Sequence, residues 1–218
     1  TAFTVSTDLA VTRGAVAKDV SGSPDVNALG FCAGGTLMTT VLNHLAATGD
    51  QSVHSASYAV TLLDFDDPAP IGAFSSPRLL ELARRSSRRK GVITAQSMGA
   101  VFSWVRPDDL IFSFWVNQWL MGEAPPVFDI LAWNADGTNL PATLHEQLLG
   151  IFRDNTLVKP GALEVLGTPV DASTITVPYF VTGAVNDHLT PWIGCYRTTA
   201  ALSGPSTFVL SNAARGRR

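Results

Sequence analysis

The chain has 218 residues, 46% of them hydrophobic and 15% charged, and a formal net charge of −3. It is too apolar for a disordered chain, long enough to bury a core, and too acidic for a broad nucleic-acid-binding surface. Its two cysteines, Cys32 and Cys195, exclude a disulfide scaffold and fit a reducing compartment.

Residues 1–24 give weak signals. Val5, Leu9 and Val11 are scattered, and Gly14, Gly22 and Pro24 interrupt any pattern, so no element is expected there. No charged-then-apolar leader pattern opens the chain. Residues 26–31 read as a short buried strand, and Cys32-Ala33-Gly34-Gly35 as a sharp turn. Leu37, Val41, Leu42 and Leu45 then recur at helical spacing, with Gly49 as the C-cap. A second strand is expected over 53–63, followed by a breaker-rich loop. Ser76-Pro77 predicts an N-cap with proline at the first helical position, and the helix runs to about Lys90. Residues 95–121 read as one or two aromatic-rich helices ended by Pro125-Pro126. Their most apolar stretch falls short of the ~20 residues a membrane helix needs. A helix over 140–152, a strand over 177–182, a helix over 192–202 and a strand over 207–210 complete the chain. A βα unit and a βαβ unit thus flank about a hundred mostly helical residues, which predicts a parallel α/β sheet with a helical insertion.

Gly30-Phe31-Cys32-Ala33-Gly34 places a nucleophile between a strand and a helix, flanked by glycines at two residues on either side. Such a turn is strained, and glycines relieve clashes with the approaching helix. Cys32 is expected to project above the sheet edge at a helix N-terminus, where the dipole favours a thiolate, with the Ala33 N–H as an oxyanion donor. A cysteine suits thioester chemistry: the acyl-cysteine is itself a thioester, so the acyl group stays activated for transfer.

Beyond the elbow Gly30-Phe31-Cys32-Ala33-Gly34-Gly35-Thr36, the chain carries Leu62-Leu63-Asp64-Phe65, Arg106-Pro107-Asp108-Asp109-Leu110-Ile111, Trp115-Val116-Asn117, Asn139-Leu140-Pro141 and Asn186-Asp187-His188-Leu189-Thr190-Pro191-Trp192. It also carries Phe128-Asp129-Ile130-Leu131-Ala132-Trp133-Asn134-Ala135-Asp136. In these stretches, from about Gly22 to Ala213, it resembles the polyhydroxyalkanoate synthases, truncated at both ends. The resemblance implies an α/β-hydrolase core lacking its N-terminal strands, forming one partial catalytic domain over 1–218 with 64–170 as a helical cap insertion. It implies an acyltransferase that polymerises (R)-3-hydroxyacyl-CoA with release of coenzyme A. Cys32 matches the family's nucleophile and Asp187 its acid, with Gly30, Ala33 and Gly34 forming the elbow. It implies no cofactor, coenzyme A being part of the substrate. It also implies a homodimer, cytoplasmic and associated with the polyester granule surface, with no nucleic-acid partner and no transmembrane segment.

The chain departs from the family where a histidine follows the last strand. Ser211-Asn212-Ala213 continues as Ala214-Arg215, so Arg215 occupies the histidine position and weak or absent activity is expected. None of His44, His54, His145 and His188 replaces that base, and no His/Cys cluster has metal-ligand spacing. Two other readings stand beside the first: a thioesterase or esterase on the same fold, and a non-catalytic remnant that keeps dimer or granule contacts. The basic run Arg84, Arg85, Arg88, Arg89 and Lys90 reads as a solvated helix face, with coenzyme A phosphates or an acidic granule partner as the functional alternative. The aromatic residues Trp104, Phe112, Phe114, Trp115 and Trp119 read as core, part of them lining an acyl channel or a dimer contact.

Overall fold

A computed structural model describes residues 2–66, 76–105, 107–124, 136–187 and 189–212, with the backbone alone at 2, 3, 105, 109 and 110. The chain divides into two compact units, one made of 1–72 with 147–218 and the other of 73–146.

The first unit opens on a helix, α1 (Ala2–Ser21), where the sequence predicts no element. The pattern was hidden because this helix turns small and polar residues inward and apolar ones outward. Thr7 is buried, its hydroxyl 3.1 Å from that of Thr40, while Val5, Leu9, Val16 and Val20 are exposed. Strand β1 (Val26–Phe31) leads through Cys32 into α2 (Ala33–Thr48), which ends on Gly49 at φ 73° as expected. Strand β2 (Val53–Ala59) stops at Val60, whose φ of 45° turns the chain off the sheet.

In the second unit, α3 (Pro77–Lys90) starts on Ser76, whose hydroxyl accepts the Leu79 N–H, and ends at Gly91 with φ 74°. Strand β3 (Val92–Ile93) and helix α4 (Ala95–Val105) follow. Two π-helical segments come next, Asp108–Phe112 and Trp115–Leu120. Trp115 and Trp119 stack at 5.7 Å, and these two with Trp104 are exposed, not core. Phe112 and Phe114 are also exposed. Strand β4 (Leu140–Pro141) pairs antiparallel with β3. Of the basic run, Arg84 and Arg88 both grip the Glu146 carboxylate and Arg85 pairs with Glu81, so acids within the unit answer much of its charge. Pro125, Pro126 and the stretch Phe128 to Ala135 lie outside the described residues.

The boundary between units falls within α5 (Ala142–Asp154). The first unit resumes with the hairpin β5 (Glu164–Val165) and β6 (Thr168–Pro169), then β7 (Tyr179–Ala184), α6 (Trp192–Ala201) and β8 (Ser206–Ser211). Its main sheet is fully parallel in the order β1-β2-β7-β8. Leu63, Leu157, Val170, Ile175 and Val181 are sealed in its core. The buried Asn43 amide ties α2 to the turn after β6, donating to the Pro169 carbonyl and accepting from the Asp171 N–H.

The two faces of this sheet differ. One row runs Gly30, Tyr58, Val181 and Phe208 and is covered. Gly30 packs on Gly35 and Met38 of α2, Tyr58 reaches Thr39, and Tyr196 of α6 meets Phe208 edge-on. On the opposite rows, Leu29-Ser57-Phe180-Thr207 and Phe31-Ala59-Thr182-Val209, Leu29, Phe31, Phe180 and Val209 are exposed among the described residues, while Ala59 is buried. The strand read as buried is therefore an edge strand, with Leu29 68% and Phe31 66% exposed. The cause is topological. Each step from β1 to β2 and from β7 to β8 moves the same way across the sheet, so right-handed crossovers put α2 and α6 on one side.

Candidate active site

Cys32 sits where β1 ends and α2 begins, with φ 50° and ψ −122°. L-residues avoid that backbone, and such strain persists only where the surroundings enforce it. Here they do. The Cys32 N–H donates to the Ala59 carbonyl (2.9 Å) and its carbonyl accepts the Gly35 N–H (2.9 Å). The buried Thr61 hydroxyl lies 3.1 Å from both the Cys32 and the Ala59 carbonyl oxygens, sharing its one proton between them. The result points the thiol outward: Cys32 is exposed. Ala33 follows as the first helical residue, and a first-turn N–H has no intrahelical acceptor, so it is free to meet an oxyanion.

The glycines divide differently from the symmetric spacing. A Cβ on Gly30 would lie 2.5 Å from the Gly35 Cα, and one on Gly35 would lie 2.3 Å from the Thr61 Oγ1. A Cβ on Gly34 would meet nothing within 4 Å among the described residues, so the clash expected there is absent. Gly34 lies on the outer side of the first helical turn, while Gly35, one residue further round, is buried against the strand and Thr61.

Asp187 lies just beyond β7, at the same carboxyl edge of the parallel strands as Cys32. That edge is where open α/β sheets bind ligands. Its Oδ1 accepts the backbone N–H groups of Leu189 (2.8 Å) and Thr190 (3.0 Å), and its Oδ2 accepts the Thr190 hydroxyl (2.9 Å). This fixes the carboxylate and leaves Oδ2 room for a further donor. Cys195 of α6 is buried within electrostatic reach of both Asp187 and Cys32. Its thiol donates to the Thr190 carbonyl at 3.5 Å. Burial first, and then the negative charge of Asp187 with a smaller effect from Cys32, pushes the Cys195 thiol up to about 11. The two cysteines thus differ, Cys32 exposed at the helix start and Cys195 sealed. Sequence reasoning passed over Thr61, Thr190 and Cys195. Only Thr190 had a local signal, standing three residues after an acid and before a proline.

The described histidines of this unit point elsewhere. His44 contacts the Thr168 hydroxyl (2.9 Å), and His54, at the start of β2 and so at the opposite sheet edge, faces Asp25 (3.4 Å). In the other unit, His145 is buried against Ser87 (3.2 Å). His188 and Arg215 lie outside the described residues. No group of three metal-ligating side chains occurs among the described residues, and none of their helices is long and apolar enough to cross a membrane.

A parallel sheet, a strained cysteine between strand and helix and an aspartate after a later strand together define a partial α/β-hydrolase core. A monoacylglycerol lipase of Paleococcus ferrophilus shares this fold, with a TM-score of 0.50 over 95% of this chain and 65% of that one, at 13% identity. No family model matches the chain. Its sequence is 43% identical over 193 residues to poly(3-hydroxyalkanoate) polymerase 1 of Ectopseudomonas oleovorans, covering 88% of this chain and 34% of the relative. It is 43% identical over 196 residues to polymerase 2 of the same organism, covering 89% and 35%. It is 38% identical over 202 residues to the poly(3-hydroxyalkanoate) polymerase subunit PhaC of Cupriavidus necator, covering 89% and 34%. The chain is thus a homologue of the poly(3-hydroxyalkanoate) polymerases and spans about a third of the length of these relatives.

Proposed function

We propose that this chain carries the acyl-accepting site of a polyhydroxyalkanoate synthase, an acyltransferase acting on (R)-3-hydroxyacyl-CoA. The observation that carries this reading is Cys32, exposed at φ 50° between β1 and α2 in a sequence that aligns with the polymerases. The Cys32 thiolate attacks the thioester carbonyl, and the oxyanion forms against the Ala33 N–H. The carbon–sulfur bond to coenzyme A then breaks, and coenzyme A leaves as a thiolate that takes up a proton. The 3-hydroxyl of a second substrate attacks the acyl-cysteine, an ester bond forms, the bond to Cys32 breaks, and the hydroxyl proton passes to a base. Asp187 orients that base or assists the hydroxyl. No cofactor is needed, since coenzyme A arrives with the substrate.

The histidine expected as base is replaced by Arg215, whose guanidinium accepts no proton. Loss of a general base costs ~10²–10⁴-fold, so this chain is weak or inactive in turnover. The same reading makes it a homodimer, cytoplasmic and granule-associated. The exposed Trp104, Trp115 and Trp119 of the 73–146 unit support an apolar contact.

Intact-protein mass spectrometry after incubation with (R)-3-hydroxybutyryl-CoA tests the site. The expected result is slow addition of one hydroxyacyl group, mapped to Cys32, lost in Cys32→Ala and kept in Cys195→Ala. Undiminished labelling of Cys32→Ala overturns the assignment. Free hydroxy acid in place of oligomer favours a thioesterase. A folded chain that binds granules but never labels is a non-catalytic remnant.

A further inference from the structure

A path of buried polar groups runs beneath the site, through two threonines that are both fully buried, Thr61 and Thr198. The Thr61 hydroxyl stands among three carbonyl oxygens, those of Cys32 and Ala59 at 3.1 Å and that of Gly30 at 3.5 Å. The Cys32 and Ala59 carbonyls already accept one backbone N–H each, from Gly35 and from Cys32. The hydroxyl therefore rescues neither of them from burial without a partner. What it adds is geometry, clamping the end of β1 to the end of β2 at the strained turn. The Thr61 side chain also fits the bare backbone of Gly35, where a Cβ would lie 2.3 Å from its Oγ1.

The path continues from the Thr61 carbonyl, which accepts the Thr198 hydroxyl at 3.2 Å. A threonine inside a helix commonly turns its hydroxyl back on its own helix. Thr199 does so, donating to the Tyr196 carbonyl at 2.6 Å, whereas Thr198 reaches out to Thr61. Three residues earlier, on the same face of α6, Cys195 closes on the loop that holds the aspartate. Its N–H donates to the Pro191 carbonyl at 3.1 Å and its thiol to the Thr190 carbonyl at 3.5 Å. Thr190 in turn grips Asp187 through its N–H and hydroxyl. Helix α6 sits close against its neighbours along this path. A Cβ on Gly194 would lie 2.6 Å from the Leu62 side chain, and one on Gly183 would lie 3.2 Å from the Cys195 Cβ.

We infer that Thr61 and Thr198 are positioning residues, a buried brace that fixes the Cys32 elbow relative to α6 and the Asp187 loop. Cys32 and Asp187 follow strands that are not neighbours, because β2 lies between β1 and β7, and Thr61 follows that middle strand. The brace spans the carboxyl edge where the strand ladder has ended. Acyl transfer needs the thiol and the Ala33 N–H in register on one carbonyl group, and a misplacement of ~1 Å costs about 10²-fold. The positioning role deepens the proposed acyl transfer and rests on it, while the brace itself does not.

The whole chain tests both. Thr61→Val keeps the shape and removes the hydroxyl, Thr61→Ser keeps the hydroxyl, and Thr198→Val cuts the link at α6. Hydrogen exchange at the Cys32 and Gly35 amides reads the brace. Protection is expected to fall about tenfold in each valine variant, to return in Thr61→Ser, and to fall no further in the double valine variant than in Thr61→Val. Two rates at Cys32 read the chemistry, acylation by (R)-3-hydroxybutyryl-CoA and alkylation by iodoacetamide. Acylation at saturating substrate is expected to fall about tenfold or more in both valine variants, while alkylation, which needs the thiol alone, changes less than about threefold. Circular dichroism checks each fold, and if Thr61→Val does not fold, Thr198→Val carries the same comparison. Unchanged protection in the valine variants, or additive losses in the double variant, overturns the brace. Equal losses of acylation and alkylation, or no recovery in Thr61→Ser, overturn the positioning role. An unaltered chain that never acylates, with the protection pattern as expected, overturns the proposed acyl transfer and the positioning role and leaves the brace standing.

Discussion

At the residue scale, the elbow shows what a strained cysteine requires of its neighbours. Cys32 holds a backbone that costs ~1–3 kcal/mol, and three groups enforce it: the Ala59 carbonyl, the Gly35 N–H and the Thr61 hydroxyl. A methyl group on Gly30 would meet the Gly35 backbone, which cannot rotate away as a side chain can. Gly30→Ala is therefore expected to cost about 1–3 kcal/mol by overpacking and to slow alkylation of Cys32 as the turn shifts. Gly34→Ala meets open space at a helix start and should be neutral or stabilising by about 0.5–1 kcal/mol. Urea unfolding and iodoacetamide labelling of both variants check the pair. Equal effects would show that the two glycines are equivalent after all. The strand–nucleophile–helix signature could be read from the sequence because the strain is local. The division of labour between Gly34 and Gly35 could not, because it is set by Thr61, twenty-six residues further along.

Among the elements, α3 and the first turn of α5 illustrate how charge is managed. Glu146 is held below its ordinary carboxylate range, first by the hydrogen bond from Arg88, with Arg84 also contributing. Its neighbour His145 is held below the ordinary 6.5, chiefly by burial, with the Glu146 charge opposing. The signs combine. A histidine whose folded pKa is depressed binds its proton more weakly than in the unfolded chain, so stability falls as pH drops below 6.5. A depressed glutamate adds stability above its unfolded value of 4.5 and loses it as pH drops further. The 73–146 unit is expected to lose stability in two successive stages on acidification, and His145→Phe should remove the upper one. Thermal melts across pH 4–8 check this, and an unchanged upper stage in the variant would refute the His145 assignment. Legibility differs between elements for physical reasons. Helix α3 is announced by Ser76-Pro77 and closed by Gly91, local signals that tertiary contacts do not override. Helix α1 is invisible to periodicity, because its apolar residues face away from the unit that contains it.

For the whole molecule, the decisive feature is the carboxyl edge of one parallel sheet. The order β1-β2-β7-β8 puts Cys32 after the first strand and Asp187 after the third, with β8 ending at that same edge. The sequence pattern around Cys32 and Asp187 anticipated this, because the edge is reached by short loops with strong signatures. The exposed sheet face stayed hidden because it depends on the direction of crossovers, which no window of residues records. Arg215 stands four residues beyond the end of β8. Ala214→Gly with Arg215→His restores the small-residue-then-histidine pattern that follows the last strand in the family the sequence resembles. If the missing proton acceptor is what limits this chain, that double variant should raise the rate of Cys32 acylation by ~10²–10⁴-fold. The gain should follow imidazole deprotonation, rising as pH passes through the ordinary histidine range and levelling off above it. Single-turnover acylation with (R)-3-hydroxybutyryl-CoA measures both. A rate unchanged by the double variant, in a chain that stays folded, would mean that the sheet edge needs more than a base to work, and would count against Cys32 as the nucleophile of a complete site.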